Sequence, residues 1–325
     1  MKVWLKVAVS VTLLTIILII LPWSDVWASL SRLSTGVWLG VLAGFLAGHL
    51  VGVFKWRLFV NAGRAALKPV DATLCYSAGL FANLCLPTIV GGDVLRAALA
   101  GRLSRRTEAA IWGGVMDRIT DISALAVLIT IGGIASRGSL PGWGSTVLTV
   151  LVVVGIAGTL IFLPLILRRP LNRWPARFRR PIGRSLVALR RLIRRPAIGA
   201  TGFVMSLTIQ GGFVLLNAWL GRAIGIELPL AVWFFAWPLA KIAGLIPISL
   251  GGLAVREASL AAILLPFGVP AARAVVCSLL WQTVLIVGGL AGGLVWLVLS
   301  RRRRDSNGEL KGITPSVAIS GQAHG

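Results

Sequence analysis

PTIVGGDVLR at 87–96 and PISLGGLAVR at 247–256 set a proline, a glycine pair and an arginine at the same spacing inside otherwise apolar sequence. Proline cannot continue a preceding helix, and paired glycines let the backbone turn and pack closely, so the first copy predicts a new helix starting at Gly92 or Asp93. The amino-terminal NH groups of such a helix attract anions, and Arg96 or Arg256 one turn later adds a fixed charge with a planar donor fork. Gly91, Gly92, Arg96, Gly251, Gly252 and Arg256 are therefore candidates for holding a phosphate-bearing headgroup. The competing interpretation is local: Asp93 caps its own helix and pairs with Arg96 at i,i+3, leaving nothing for a ligand. Asp93 has no counterpart in the second copy, where Leu253 stands.

Two further acidic and basic sets lie in apolar sequence. MDRITD places Asp117 and Asp121 on one helical face, with Arg118 three residues before Asp121 and able to pair with it. Lys241, Arg256 and Glu257 form a second group, in which Glu257 either neutralises Arg256 or Lys241 or takes and releases a proton. A mid-membrane charge costs at least ~2.5 to 3.5 kcal/mol, so Asp93, Asp117, Arg118, Asp121, Lys241 and Glu257 must face one another or a polar cavity. They are the candidates for charge balance or proton coupling, with a purely structural ion-pair cluster as the alternative. Asn83, Gln210, Asn217 and Gln282 read as interhelical hydrogen-bond partners.

Catalytic patterns are missing. His49 and His324 are the only histidines, and the chain has no Ser-His-acid set, HExxH, Walker loop or strand-borne Gly-x-Gly-x-x-Gly. Two carboxylates four residues apart are a weak magnesium signal without further acidic ligands. No cofactor and no metal are expected. Cys75, Cys85 and Cys277 lie in apolar segments without ligand spacing and read as buried thiols.

The elements that must carry these residues are membrane helices. Of 325 residues, 57% are hydrophobic and only 13% charged, which excludes an ordinary soluble domain. Apolar runs of bilayer-spanning length occur near 3–22, 36–54, 109–134, 145–167, 197–220 and 271–299. The first is a retained span rather than a cleaved signal, since no small-x-small cleavage site follows Pro22. The fold class is an all-α polytopic membrane protein of about six transmembrane helices. Residues 71–100 and 229–265 are short apolar runs broken by Pro and Gly and read as two re-entrant helical hairpins.

These two regions repeat each other, with Pro69 and Pro229, Pro87 and Pro247, Gly91 and Gly251, and Arg96 and Arg256 all 160 positions apart. Three spans between them make the second copy inverted, which in transporters points to a midplane site. The membrane domain covers 1–300, with repeat halves near 36–134 and 197–299 and a basic loop at 168–196, and a basic then disordered tail follows at 301–325.

The formal charge of +23 is placed by topology. With both termini cytoplasmic, Lys55, Arg57, Arg64, Lys68, Arg102, Arg105, Arg106, eleven arginines from Arg168 to Arg195 and Arg301–Arg304 share one side. The basic blocks flank apolar runs, as topology signals touching anionic lipid do, so no nucleic acid is expected. Trp23, Trp27, Trp143, Trp174 and Trp233 near predicted span ends read as interface anchors.

LCLPTIVGGDVLRAALAGR, VMDRITDI and GLIPISLGGLAVREASL followed by FGVPAARAV resemble the lysylphosphatidylglycerol synthase transmembrane-region family, flippase-like proteins related to the membrane half of the multiple peptide resistance factor. The resemblance runs over roughly residues 5–300. It implies translocation of lipids with anionic or zwitterionic headgroups across a bacterial-type cytoplasmic membrane, by paired re-entrant helices around a central cavity. Asp93, Arg96, Asp117, Arg118, Asp121, Arg256 and Glu257 match its motifs. Only DSNGELKGITPSVAISGQAHG follows Arg304, so an aminoacyl-transferring domain is not expected in this chain. The alternatives are a membrane-embedded lipid-modifying transferase using Asp117 and Asp121 with a metal, and a scaffold docking a cytoplasmic glycosyl- or aminoacyl-transferase through the 168–195 arginines.

Overall fold

In the computed structural model, which describes residues 24, 27–28, 31–85, 91–136, 195–245 and 254–312 with side chains to 303, all regular structure is helical. The predicted spans 3–22 and 145–167, the basic loop up to Arg194, the pair Gly251 and Gly252, and the tail beyond Gly312 lie outside the described residues. The described helices are α1 (Thr35–Ala62), α2 (Pro69–Cys85), α3 (Gly91–Ser104), α4 (Thr107–Ala135), α5 (Pro196–Ala223), α6 (Leu230–Ala243), α7 (Val255–Leu264) and α8 (Ala271–Gly312). A 3₁₀ turn at Leu265–Phe267 joins the last two. Four of them, α1, α4, α5 and α8, are long and apolar enough to cross a bilayer, matching four predicted spans.

Helix ends follow the local sequence. Ser34 caps α1 by accepting from the Gly36 amide at 3.2 Å. Proline opens α2 and α5, where its missing NH costs nothing. Helix α3 begins at Gly91, one residue before the earlier of the two expected starts. Helix α7 follows Ala254, a non-glycine residue held at φ +68°, a left-handed backbone conformation that is uncommon outside turns.

Small residues bring the helices together. On α1, Gly40, Gly44 and Gly48 recur every fourth residue and face Trp219, Leu216 and Phe213 of α5. A methyl group at Gly44 or Gly48 would come within 2.7 Å or 2.6 Å of those side chains, so the row is the groove into which α5 packs. On α8, Gly288, Gly289 and Gly293 likewise receive Phe45, Leu84 and Phe81. Helix α4 is crossed by α1, α5 and α6, and α8 packs on α2 and α7. The central core is aromatic: Phe45 lies 5.4 Å from Phe213 and 5.7 Å from Trp281, which is 5.4 Å from Trp237.

Two expectations about single side chains, Trp233 and Cys85, fail here. Trp233 is not an interface anchor but is fully buried against Gly221, because α6 is enclosed by α4, α5 and α7. Helix α8 continues through the basic run Arg301–Arg304 to Gly312, and Arg303 is held by Asp71 at 2.7 Å. Cys85, read as buried, is exposed, while Cys75 and Cys277 are buried.

Candidate functional site

Helices α2 and α3 run antiparallel in close contact. The Gly92 amide donates to Asn83 Oδ1 at 3.1 Å, and a Cβ on Gly79 would lie 2.8 Å from the Gly92 carbonyl oxygen. A Cβ on Gly92 itself would collide with the Gly79 carbonyl and Asn83, so this crossing tolerates only glycine. The contact fixes Asp93 and Arg96 beside α4. One amino-terminal amide of α3 is already occupied by Asn83, which narrows its capacity for a further anion.

Around Arg96 six charged groups alternate in sign. Arg118 Nη2 contacts Asp93 Oδ2 at 2.6 Å, and Asp93 Oδ1 lies 3.1 Å from Arg96 Nη2. Arg96 Nη2 donates to Asp117 Oδ2 at 2.8 Å, and Asp117 Oδ1 is 3.0 Å from Lys55 Nζ. Lys55 Nζ also donates to Asp121 Oδ1 at 2.5 Å and to Ser206 Oγ at 3.0 Å. Ser206 in turn donates to Thr120 at 3.1 Å. Three cations and three carboxylates close a neutral chain, which lowers the cost of placing each in low dielectric. The guanidinium of Arg96 lies 5.1 Å from the Trp56 ring centroid and 5.2 Å from that of Tyr76.

The Asp93–Arg96 pair is the local one foreseen at i,i+3, and Asp117 and Asp121 share a face as expected, the face that meets Lys55. Two expectations are corrected. Arg118 pairs with Asp93 and not with Asp121, because Lys55 occupies Asp121. Lys55 is not a solvated topology charge; it is 2% exposed in α1 and joins both carboxylates.

The second group is built on α5–α8. Arg256 Nη2 donates to Glu257 Oε1 at 2.8 Å and to Gln282 Oε1 at 2.9 Å, while Nε reaches Ser278 Oγ at 3.3 Å. Glu257 is fully buried; Ser278 donates to its Oε1 at 3.1 Å, and its Oε2 has no hydrogen-bond partner among the described residues. Arg256 lies 5.9 Å from the Trp237 centroid, a longer version of the stacking at Arg96. Lys241 Nζ donates to Gln210 Oε1 at 2.7 Å and sits 5.4 Å from the Phe213 centroid. No carboxylate lies within ion-pair distance of Lys241 among the described residues, and the two groups together hold five cations (Lys55, Arg96, Arg118, Lys241 and Arg256) against four carboxylates (Asp93, Asp117, Asp121 and Glu257).

His49 bridges the two groups. Its Nδ1 lies 3.2 Å from the Tyr76 hydroxyl, and its ring is 4.3 Å from Phe45 and 5.6 Å from Phe213. Sequence reasoning missed His49, Lys55, Tyr76, Trp237 and Ser278 as site residues. One signal was present for Lys55: it stands three and seven residues after Gly52 and Gly48, on the packing face of α1.

Buried alternating charges between apolar helices define a polytopic helical membrane protein with a polar interior. The family model for the lysylphosphatidylglycerol synthase TM region matches residues 3–293, and the chain belongs to that family. No curated protein and no solved structure matches it.

Proposed function

We propose that this chain is a flippase-like transporter that moves a phospholipid or lipid-linked headgroup across the cytoplasmic membrane, with its acyl chains remaining in lipid. The observation that carries the proposal is the charge imbalance in the interior. Taken together the two groups hold five cations against four carboxylates, the excess cation having no ion-pair partner at Lys241 among the described residues, and Glu257 Oε2 is buried without a hydrogen-bond donor among those residues. A phosphate with an ammonium or hydroxyl substituent would satisfy both, as a fixed dipole of the same charge pattern.

The helix lengths fit a hairpin pathway. At 1.5 Å per residue α2 and α3 span about 26 and 21 Å, and α6 and α7 about 21 and 15 Å, all short of a roughly 30 Å hydrocarbon core. Each pair is therefore proposed as re-entrant. Both α1 and α5 have 28 residues and begin 161 positions apart, as do α2 and α6, which supports an internal repeat with one arginine per half. In the inverted arrangement Arg96 and Arg256 would receive the headgroup from opposite faces, and Asp93, Asp117, Arg118, Asp121 and Glu257 would rebalance charge as the ligand passes. The lipid-modifying function has less to support it, since Asp117 and Asp121 are already engaged by Lys55.

The test is transbilayer movement of headgroup-labelled phospholipids in proteoliposomes. Wild type is expected to move lipid, and Arg96→Ala and Arg256→Ala at matched insertion to lose most of that activity. A wild type inactive on a broad lipid panel, or variants that match it, would refute the proposal.

A further inference from the structure

A second lipid-shaped feature lies away from the buried charges. A cleft of about 320 Å³ opens between α2, α3 and α8, lined by Leu74, Leu99, Leu103, Trp296, Arg102, Ser300 and Arg303, with Leu74, Leu99 and Trp296 as its floor and Arg102, near the end of α3, and Arg303 on α8 as its rim. Its polarity is ordered along one axis. Trp296 stands seven residues before Arg303 on α8, about 10 Å deeper, and Leu74 is one turn further along α2 than Asp71, which binds Arg303 at 2.7 Å. The rim thus carries two guanidinium groups against one carboxylate, while the floor is apolar.

We infer that this cleft seats an anionic glycerophospholipid, its phosphate on Arg102 and one acyl chain over Leu99 and Trp296. The occupant follows from complementarity. An acyl chain matches the apolar floor, and a phosphate offsets the excess rim cation with the planar donor geometry that arginine supplies. A lipid of zero net charge would leave that excess in place. Arg102 is exposed and bonded to nothing among the described residues' side-chain pairs, whereas Arg303 is partly neutralised by Asp71. The site stands independently of the proposed transport, because among the described residues none of its side chains hydrogen-bonds or ion-pairs with the Arg96 or Arg256 groups.

Purified protein in lipid nanodiscs, doped with phosphatidylglycerol carrying a photoreactive acyl chain, tests the assignment by mapping labelled peptides. Labelling is expected at the segments around Leu74, Leu99 and Trp296, and well above that from phosphatidylcholine with the same chain. Arg102→Gln should lower it about fivefold, the factor expected for one arginine at a lipid phosphate, and Leu99→Trp should abolish it by filling the floor. Arg301→Gln, an exposed neighbour outside the cleft, should change it little. Equal labelling by the two lipids, or an equal fall with Arg301→Gln, would reduce the effect to surface electrostatics and overturn the site. Labelling that emerges only after deletion of residues 313–325 would make the chain's own tail the occupant and overturn it too. Should Leu99→Trp fail to fold, Arg102→Gln decides alone, its exposed side chain leaving the core untouched.

Discussion

Lys55→Met removes the one cation shared by Asp117 and Asp121 while keeping an unbranched side chain of similar length in α1. The lysine is 2% exposed and lies 3.0 Å from Asp117 Oδ1, 2.5 Å from Asp121 Oδ1 and 3.0 Å from Ser206 Oγ. Removing one partner of a buried ion pair costs about 3–5 kcal/mol, because the remaining charge stays desolvated. The lower end applies here. Asp117 keeps Arg96 at 2.8 Å, and the Asp121 side chain is 20% exposed and gains some solvation. A loss of about 3 kcal/mol is expected in reversible unfolding by steric trapping in bicelles. Adding Asp121→Asn removes the stranded charge and should recover about 1–2 kcal/mol of it, a coupling that independent sites would not give. A Lys55→Met protein within ~0.5 kcal/mol of wild type, or strict additivity with Asp121→Asn, would refute the view that Lys55 closes the charge chain.

Other perturbations sort the interior by its contacts. Arg118→Gln should cost no more than about 1 kcal/mol in the same assay, since its side chain is 43% exposed although it contacts Asp93 at 2.6 Å. Gly92→Ala should lower the yield of folded, detergent-stable protein measured by size-exclusion chromatography, because its methyl group has no room between Gly79 and Asn83. Gly114→Ala on α4, where nothing lies within 4 Å of the added carbon, is its harmless control. Glu257→Gln should leave Arg256 bound to Ser278 and Gln282 but raise the interior charge by one, so lipid movement should become more selective for anionic over zwitterionic headgroups; unchanged selectivity would separate Glu257 from the pathway.

The polar interior was legible as a set of residues but not as a set of pairs. Asp93, Arg96, Asp117, Arg118, Asp121, Lys241, Arg256 and Glu257 stand out in apolar sequence because hydrocarbon makes an unpaired charge expensive, and that penalty depends on composition alone. Pairings between residues one turn apart, such as Asp93 with Arg96, could be foreseen from helical spacing. Arg118 could not be assigned in the same way, because its local partner Asp121 is taken by a lysine 66 positions earlier.

Composition and hydropathy by themselves determined the membrane class, the four long helices described, the start of α3 to within one or two residues, and the repeated Gly-Gly-x3-Arg element. These depend on local terms: the apolar length that a bilayer demands, proline's missing donor, and the freedom of glycine. The tertiary structure alone decided that Lys55 faces inward, that Trp233 and Trp237 belong to the core, and that His49 stands between the two charged groups. Those outcomes turn on which face of α1 meets α4 and α5, and the glycine row that sets this contact becomes a groove only when Trp219, Leu216 and Phe213 arrive from 160 or more residues away. A lysine near the end of an apolar helix has the same local sequence whether it reaches water or a pair of carboxylates, and only the packing of distant helices distinguishes the two.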